Sequence, residues 1–488
     1  MEDKAVRGIP WTLVSYACNR AIMLLTVVVL ARLLVPEDFG LVTLAMIAVQ
    51  LSNTLSDLGL SGTLILRQDL GERAKGTVLT LMLAMSVLLA AVLAAISPAI
   101  GDLLNEPRLP GVLAALSVGI VISGVTWFYE SALTRELEFR KRFLALATQS
   151  VAFATVAIGL AALGAGVWSL VAGQLSSLLA FATVLLWLAP YRIRPALGRD
   201  DARDVLSTSK GFLLQGGLGF LSGNLDYLTV GSVLGATRLG FYSMAYRLGE
   251  VPYYAIADPV AKVTFPAFSR MRHRGEEIGS PFLSTLRLVA LVACPIGVLM
   301  SAAADPFTVV VFGDKWLSMI GPLAVLGIWA AVRPVQATIA WLLNSIGEAT
   351  VMGIISAMVL VPLLPGLLLA AHLGGITAVA WVMLADTALS VSVLAFTVHR
   401  RAGISLGEQW RALRSVAITC ALTWGACRAV AEAMSGGAPA AALVASVGAG
   451  IGCFLVVLSV IEPGLLRIAF HQIGRTLGRG QAAVAEPG

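Results

Sequence analysis

The sequence predicts an all-α integral membrane protein of about 14 transmembrane helices, built as two pseudo-symmetric six-helix bundles plus two C-terminal helices. Three observations predict it. Of 488 residues, 58% are hydrophobic and 13% charged, and mean hydropathy is +0.87. A soluble domain carries about 25% charged residues, and a chain this short cannot hide so much apolar surface from water. The apolar residues also fall into runs of the roughly 20 residues that cross a bilayer. Finally, a stretch near the N-terminus recurs at an offset of 200 residues. A soluble enzyme, a nucleic-acid-binding domain and a secreted disulfide scaffold are excluded.

In chain order the predicted spans are 10–34, 39–66, 76–100, 109–133, 143–164, 166–189, 210–234, 238–264, 281–304, 319–345, 349–371, 374–398, 412–433 and 438–461. Several exceed one perpendicular crossing and imply tilt or interfacial ends. The first is too long for a signal peptide and ends without a small-x-small cleavage site. The connections are too short to house a folded domain, so function must lie between helices. Lys4 and Arg7 precede span 1, and basic residues fill the alternate loops: Arg67, Arg73 and Lys75, then Arg135 to Arg142, then Arg192 to Lys210. Arg270 to Arg274, Arg400 to Arg414 and the tail continue the series. That side holds 24 of the 34 basic residues and the other holds four, Arg32, Arg108, Arg238 and Lys315. The positive-inside rule then places both termini in the cytoplasm, and the net charge of +6 needs no nucleic acid.

The repeat sets Phe39-Gly40-Leu41-Val42-Thr43 over Leu239-Gly240-Phe241-Tyr242-Ser243. Six spans separate the copies, so both run outward, which is a parallel repeat about an axis along the membrane normal. The expected domains are residues 1–200, 201–400 and 401–488, the last holding two extra helices and a tail. In that tail Arg467, His471, Arg475 and Arg479 recur every four residues, as an interfacial helix on an anionic leaflet would place them.

Charged and polar groups inside spans are costly and face a partner or a wet cavity. Span 1 carries Asn19 and Arg20. Span 2 carries Gln50, Asn53 and Asp57 on one helix face. Span 7 has Gln215, Asn224 and Asp226; span 8 has Tyr242, Tyr246, Arg247 and Glu250. Deep polar character is thus concentrated in the first two helices of each repeat. Two readings stand. Arg20–Asp57 and Arg247–Asp226 pair and hold the bundles, or the arginines face a hydrated cavity and meet an anionic headgroup, whose phosphate suits the planar guanidinium fork. The candidate substrate-binding residues are Arg20, Asn53, Asp57, Asn224, Asp226, Tyr242, Tyr246, Arg247 and Glu250. Span 10 adds Arg333 and Gln336, and span 12 adds Asp386. Lys262, Arg287 and Arg428 are expected to snorkel to headgroups, and Asp258 to pair with Lys262 four residues on. Pro252, Pro259 and Pro266 in span 8 and Pro362 and Pro365 in span 11 are expected to kink their helices, as hinges or as static bends.

Other chemistry is not legible. Cys18, Cys294, Cys420, Cys427 and Cys453 all fall in spans, and His273, His372, His399 and His471 are scattered. Gly71 to Thr77 lacks the lysine and preceding strand of a phosphate loop. No cofactor or metal is expected. Any driving force is an ion gradient (sodium or proton), the membrane potential or downhill substrate flux.

The run Leu30-Ala31-Arg32-Leu33-Leu34-Val35-Pro36-Glu37-Asp38-Phe39-Gly40 resembles the N-terminal signature of bacterial polysaccharide-type flippases. Asp57-Leu58-Gly59-Leu60-Ser61, Gly166-Val167-Trp168-Ser169-Leu170 and Asn224-Leu225-Asp226 resemble later landmarks of that family. So do Leu239-Gly240-Phe241-Tyr242-Ser243 and Val311-Phe312-Gly313-Asp314-Lys315-Trp316. These run in order from residue 30 to 316; the C-terminal third matches in hydropathy alone. The resemblance implies the multidrug/oligosaccharidyl-lipid/polysaccharide exporter fold in a bacterial inner membrane. It implies a non-enzymatic flippase that moves an undecaprenyl-diphosphate-linked oligosaccharide outward for lipopolysaccharide, capsule or exopolysaccharide synthesis. The partners so implied are the lipid-linked oligosaccharide, membrane lipids, and a polysaccharide polymerase with its chain-length regulator. Lipid-linked-sugar flippases keep arginines in spans 1 and 8, where Arg20 and Arg247 stand. The rival of the same fold is an ion-coupled antiporter of drugs or organic cations, which would prefer acidic residues in its cleft. A membrane polymerase would want a sizeable outer loop, and the longest outer stretch, about Ala304 to Met319, is short.

Overall fold

In a computed structural model the described residues are 22–66, 70–136, 138–189 and 193–461. They are almost wholly helical, with no strand among them. The chain is an all-α, multi-pass membrane protein.

Each predicted span coincides with a helix where it is described. Span 1 is represented by α1, Ile22–Leu33. Span 2 is α2, Pro36–Asp57, followed by a short α3, Leu60–Leu66. Spans 3 to 6 are α4 (Glu72–Leu103), α5 (Leu109–Arg135), α6 (Phe139–Ala162) and α7 (Val167–Leu188). Span 7 and the start of span 8 form α8, Arg199–Gly249, bent at Gly235 (φ 82°). A π-helical turn, Tyr253–Ala257, leads into α9, Asp258–His273. Spans 9 and 10 are α10 (Gly279–Ala302) and α12 (Ile320–Ser345), with α11 (Ala304–Val311) and a 3₁₀ turn (Asp314–Met319) between them. Spans 11 and 12 are the two halves of α13, Ala349–Ala402, divided at Gly375 (φ 63°). The last two are α14 (Leu406–Ala433) and α15 (Pro439–Ile461).

The outer stretch expected as loop, 304–319, is helical instead. The sharp bends of α8 and α13 lie at Gly235 and Gly375, at the junctions expected between spans 7 and 8 and between spans 11 and 12, and span 8 itself is interrupted by the π turn between Pro252 and Pro259. A positive φ reverses the chain without leaving helical hydrogen bonding for long, and glycine alone reaches it without a Cβ penalty. The prolines sit where they cost little or are absorbed: Pro252 caps the π turn, Pro259 opens α9, and Pro362 and Pro365 lie within α13.

Interruptions recur at the repeat offset. The α1–α2 turn at Val35 answers the bend at Gly235. The end of α2 at Asp57, where Leu58 (φ 51°) and Gly59 (φ 71°) break the helix, answers the end of the π turn at Ala257.

Packing divides the chain into two compact units. The first comprises residues up to Ala245 with Phe312–Pro322 and Leu360–Val382; the second comprises Tyr246–Val311, Leu323–Val359 and everything from Met383 on. This division follows contacts, whereas the expected segments 1–200, 201–400 and 401–488 follow the repeat and the topology.

At one end of the first unit an apolar core gathers Leu60, Leu64, Met82, Phe128, Phe181 and Leu185 with their neighbours. At the opposite end, three of the sequence landmarks meet, those at 30–40, 239–243 and 311–316. Trp316 is fully buried and donates from Nε1 to the Ala31 carbonyl at 2.9 Å. Phe39, Phe241 and Phe312 ring it at centroid separations of 5.4, 5.9 and 5.9 Å. Beside this cluster α2 and α8 cross at Gly40 and Gly240. A methyl on Gly40 would collide with the Ala236 carbonyl, and one on Gly240 with the Pro36 carbonyl. Thr43 Oγ1 and Ser243 Oγ, 200 residues apart, are within 3.4 Å. Arg108 bridges Glu37 at 3.0 Å and Asp38 at 2.7 Å, and Glu106 accepts from the Ala236 N–H at 3.0 Å. Desolvation works against the Arg108 charge, but the hydrogen bonds and attraction of Asp38 and Glu37 outweigh it and raise its pKa. These three landmarks therefore build the end of a helix crossing.

The second unit packs Phe282, Leu286, Ile339, Leu342, Leu343 and Val398 into its core. There α10 and α12 approach at Gly297 and Gly327, where a methyl would stand 2.6 Å from backbone of the facing helix.

Candidate functional site

The candidate residues fall into clusters, described unit by unit. Arg20 lies outside the described residues, and with it the expected Arg20–Asp57 pair.

In the first unit α8 carries Asn224, Asp226 and Tyr242, and all three are buried. Tyr242 donates from its hydroxyl to Asp226 Oδ2 at 2.8 Å, and Tyr227 packs edge-on against Tyr242 at 5.9 Å. Asn224 donates to the Phe220 carbonyl one turn back, at 2.9 Å. The bend at Gly235 makes the first contact possible by folding the two arms of α8 together, so residues 16 apart meet. These groups are satisfied internally, and the arrangement orders the hairpin.

Asn53 and Asp57 lie on α2 and are half-buried. Asn53 Oδ1 is buried and has no hydrogen-bond partner among the described residues. Asp57 accepts from the backbone N–H of Ser61 at 3.1 Å and from its hydroxyl. These bonds hold the carboxylate over the break between α2 and α3. Asp57, Ser61, Trp127, Glu130 and Ser131 line an open cavity of about 300 Å³. Glu130 also takes two hydrogen bonds from Arg142, at 2.9 and 2.8 Å.

In the second unit Tyr246 is buried against Trp329, with ring centroids 4.9 Å apart. Arg247 and Glu250 are half-buried, and Arg247 has no ion-pair partner among the described residues. The guanidinium of Arg333, near the middle of α12, lies over Tyr253 at 5.0 Å and beside Trp329 at 5.9 Å. Its Nη1 donates to Gln336 Oε1 at 2.9 Å, and Asp386 on α13 is within electrostatic reach. Trp329 Nε1 donates to Thr387 Oγ1 at 2.9 Å, which fixes the indole. The π turn positions Tyr253; such single turns disturb a helix face and recur at functional sites.

Sequence reasoning saw Arg333, Gln336 and Asp386 as intramembrane polar groups and did not assemble them. The available signal was the stripe Trp329–Arg333–Gln336, spaced four and three on one face of α12. Tyr253 had none, because its placement depends on the π turn. Two other expectations change or hold. Arg428 pairs with Asp305 and with Glu432 instead of reaching for headgroups, because α11 brings Asp305 beside it. Lys262 and Asp258 do pair, at 2.8 Å.

What this geometry offers is non-covalent: a stacked guanidinium, a half-buried arginine, carboxylates and aromatic faces within spans. Among the described residues no group of His, Cys, Asp or Glu is arranged to hold a metal ion.

Comparison with known proteins adds the following. A family model described as "Polysaccharide biosynthesis protein" matches residues 29–321. The lipopolysaccharide biosynthesis protein WzxC of Escherichia coli (strain K12) is 25% identical over 69% of this chain and 68% of its own. The teichuronic acid biosynthesis protein TuaB of Bacillus subtilis (strain 168) is 27% identical over 80% of this chain and 81% of its own. The succinoglycan biosynthesis transport protein ExoT of Rhizobium meliloti (strain 1021) is 24% identical, covering 71% and 70%. Among solved structures, the lipid II flippase MurJ in an inward closed conformation superposes with a TM-score of 0.78, at 13% identity, over 93% of this chain and 99% of its own. An inward-facing multidrug resistance transporter of the MATE family gives 0.63, at 17% identity, over 79% and 94%.

Proposed function

Because the chain belongs to the polysaccharide biosynthesis protein family whose model spans residues 29–321, we propose that it is a flippase for a lipid-linked oligosaccharide, a transporter and not an enzyme. The observation that carries the reading is Arg333, a half-buried guanidinium at mid-span held by Tyr253, Trp329 and Gln336. A charge at that depth is expensive and is retained where it faces a polar ligand path. The names of WzxC, TuaB and ExoT, each a polysaccharide biosynthesis protein, support a saccharide cargo. The MurJ-like fold supports movement of a lipid carrier.

More finely, the cargo is an undecaprenyl-diphosphate-linked glycan of the lipopolysaccharide, capsule or exopolysaccharide class, carried outward across the bacterial inner membrane. Its headgroup enters from the cytoplasmic side, where both termini of the chain lie, while the polyprenyl tail stays in lipid. Arg20, Arg247 and Arg333 neutralise the diphosphate or acidic sugars; Asn53, Asp57, Tyr246 and Glu250 contact hydroxyls. Asn224, Asp226 and Tyr242 position the α8 hairpin. No cofactor takes part, and a sodium or proton gradient, the potential or downhill flux drives transfer. A polymerase and its chain-length regulator consume the product.

The test is delivery of a labelled polyprenyl-diphosphate glycan across vesicles reconstituted with the protein, with and without sodium, proton or voltage gradients. Protein-dependent arrival of headgroups in the far leaflet is expected. Efflux of an organic cation without glycan transfer would replace this reading with the antiporter.

A further inference from the structure

A second cavity, of about 540 Å³, opens at the arginine-rich end of the second unit. The inner turns between α9 and α10 and between α13 and α14 frame it, with Ile346 of α12 behind. Down one wall α10 lays Ser280, Ser284 and Arg287, spaced four and three, so they share a helix face. Arg287 is eight residues into α10, about 12 Å below its first turn at 1.5 Å per residue. Arg272 and Arg401 stand at the rim, from the last turns of α9 and α13. The remaining wall is apolar, with Leu283, Ile346 and Ile404.

Its acids are largely committed elsewhere. Glu408 accepts from the Ser405 N–H at 2.8 Å and its hydroxyl at 2.7 Å, closing the capping box that starts α14. Glu276 lies 3.6 Å from Arg274. Glu277 is exposed at the rim. Arg401 is 3.7 Å from Glu348, a loose pair that leaves donors to spare.

We propose that this cavity binds the phosphate headgroup of an anionic glycerophospholipid of the inner leaflet. The Arg287 guanidinium at depth, the Ser284 and Ser280 hydroxyls along the wall above it and two more guanidinia at the rim offer a phosphodiester several charge-assisted hydrogen bonds. The lipid, rather than free phosphate, follows from position. The cavity lies at the ends of three helices long and apolar enough to cross a membrane, the start of α10, the end of α13 and the start of α14; one wall is apolar, and beside it Leu406 and Trp410 are exposed as interfacial residues are. The site lies in the second unit and is independent of the glycan reading, so either can fail alone.

Native mass spectrometry of the full chain in detergent tests it, with short-chain phosphatidylglycerol and phosphatidylcholine as probes and inorganic phosphate as competitor. Both lipids carry a phosphodiester, but the quaternary ammonium of phosphatidylcholine sets a cation beside Arg272, Arg287 and Arg401, so phosphatidylglycerol is expected to be retained about tenfold over it, which is about 1.4 kcal/mol. Arg287→Gln removes that preference, whereas Arg411→Gln, at a nearby exposed arginine that does not line the cavity, keeps it. Equal retention of both lipids overturns the proposal, as does an undiminished preference in Arg287→Gln. Displacement by equimolar inorganic phosphate overturns the lipid assignment. If Arg287→Gln does not fold, the pair Ser284→Ala and Arg401→Ala, at exposed positions, carries the same comparison.

Discussion

At the residue scale the energetic burden falls on charges placed in spans. Arg333 is held by two aromatic faces and one amide oxygen. A desolvated cation–π contact is worth about 2 kcal/mol, comparable with the roughly 2.5–3.5 kcal/mol that insertion scales assign to a central arginine. The residue is affordable there only with its cage. Arg333→Ala is therefore expected to be made in normal amounts and to lower glycan transfer at least tenfold in the vesicle assay; Arg333→Lys, which keeps charge but loses the planar stack, should fall between. Full transfer by Arg333→Ala would remove it from the ligand path. Asp226 gives the opposite case, a carboxylate whose role is internal. Tyr242→Phe leaves it without that donor while buried, which costs about 1–3 kcal/mol and should lower Tm. Replacing both partners, Tyr242→Phe with Asp226→Leu, should recover much of the loss, because no polar group is then stranded. A Tm unchanged in Tyr242→Phe would contradict the structural role. The depth of these residues was legible in the sequence. Their partners were not, since a 16-residue separation across a glycine bend and a π turn leaves no periodic trace.

At the element scale the close approach of α2 and α8 explains why short strings such as Phe39-Gly40 and Leu239-Gly240-Phe241 stand out. Each glycine faces a carbonyl of the other helix, and the aromatic residues beside them close around Trp316. Gly40→Ala or Gly240→Ala must push the helices apart. The crossing can be read directly by Thr43→Cys with Ser243→Cys in a background lacking the native cysteines, because the two hydroxyl oxygens are 3.4 Å apart. Oxidant should join that pair efficiently, and adding Gly240→Ala should cut the yield severalfold. A yield indifferent to Gly240→Ala would show that this glycine does not set the approach. Helix positions were readable because a lipid-facing helix needs its run of apolar residues. The break after Asp57 and the helical character of 304–319 were not. The first depends on a left-handed Leu58 and Gly59, the second on short helices too brief to show a period.

At the scale of the whole molecule, the uneven arginines and the internal repeat make one joint claim about direction. If the arginine-rich loops are cytoplasmic, the Gly40–Gly240 crossing belongs to the outer end of the first unit, and cargo must enter from the opposite end. Fluorescent-protein fusions at both termini should therefore be bright. A periplasmic reporter placed after Asn105, in the short turn between α4 and α5, should be active, and one placed in the turn after His273 silent. The same orientation predicts an order of events. Joining Thr43→Cys to Ser243→Cys should permit glycan to bind from the arginine-rich side yet stop its release, and reductant should restore transfer. Binding abolished by the crosslink, or transfer continuing through it, would mean that this crossing does not lie on the exit route. Either result would separate the topology, which rests on charge, from the transport path, which rests on geometry.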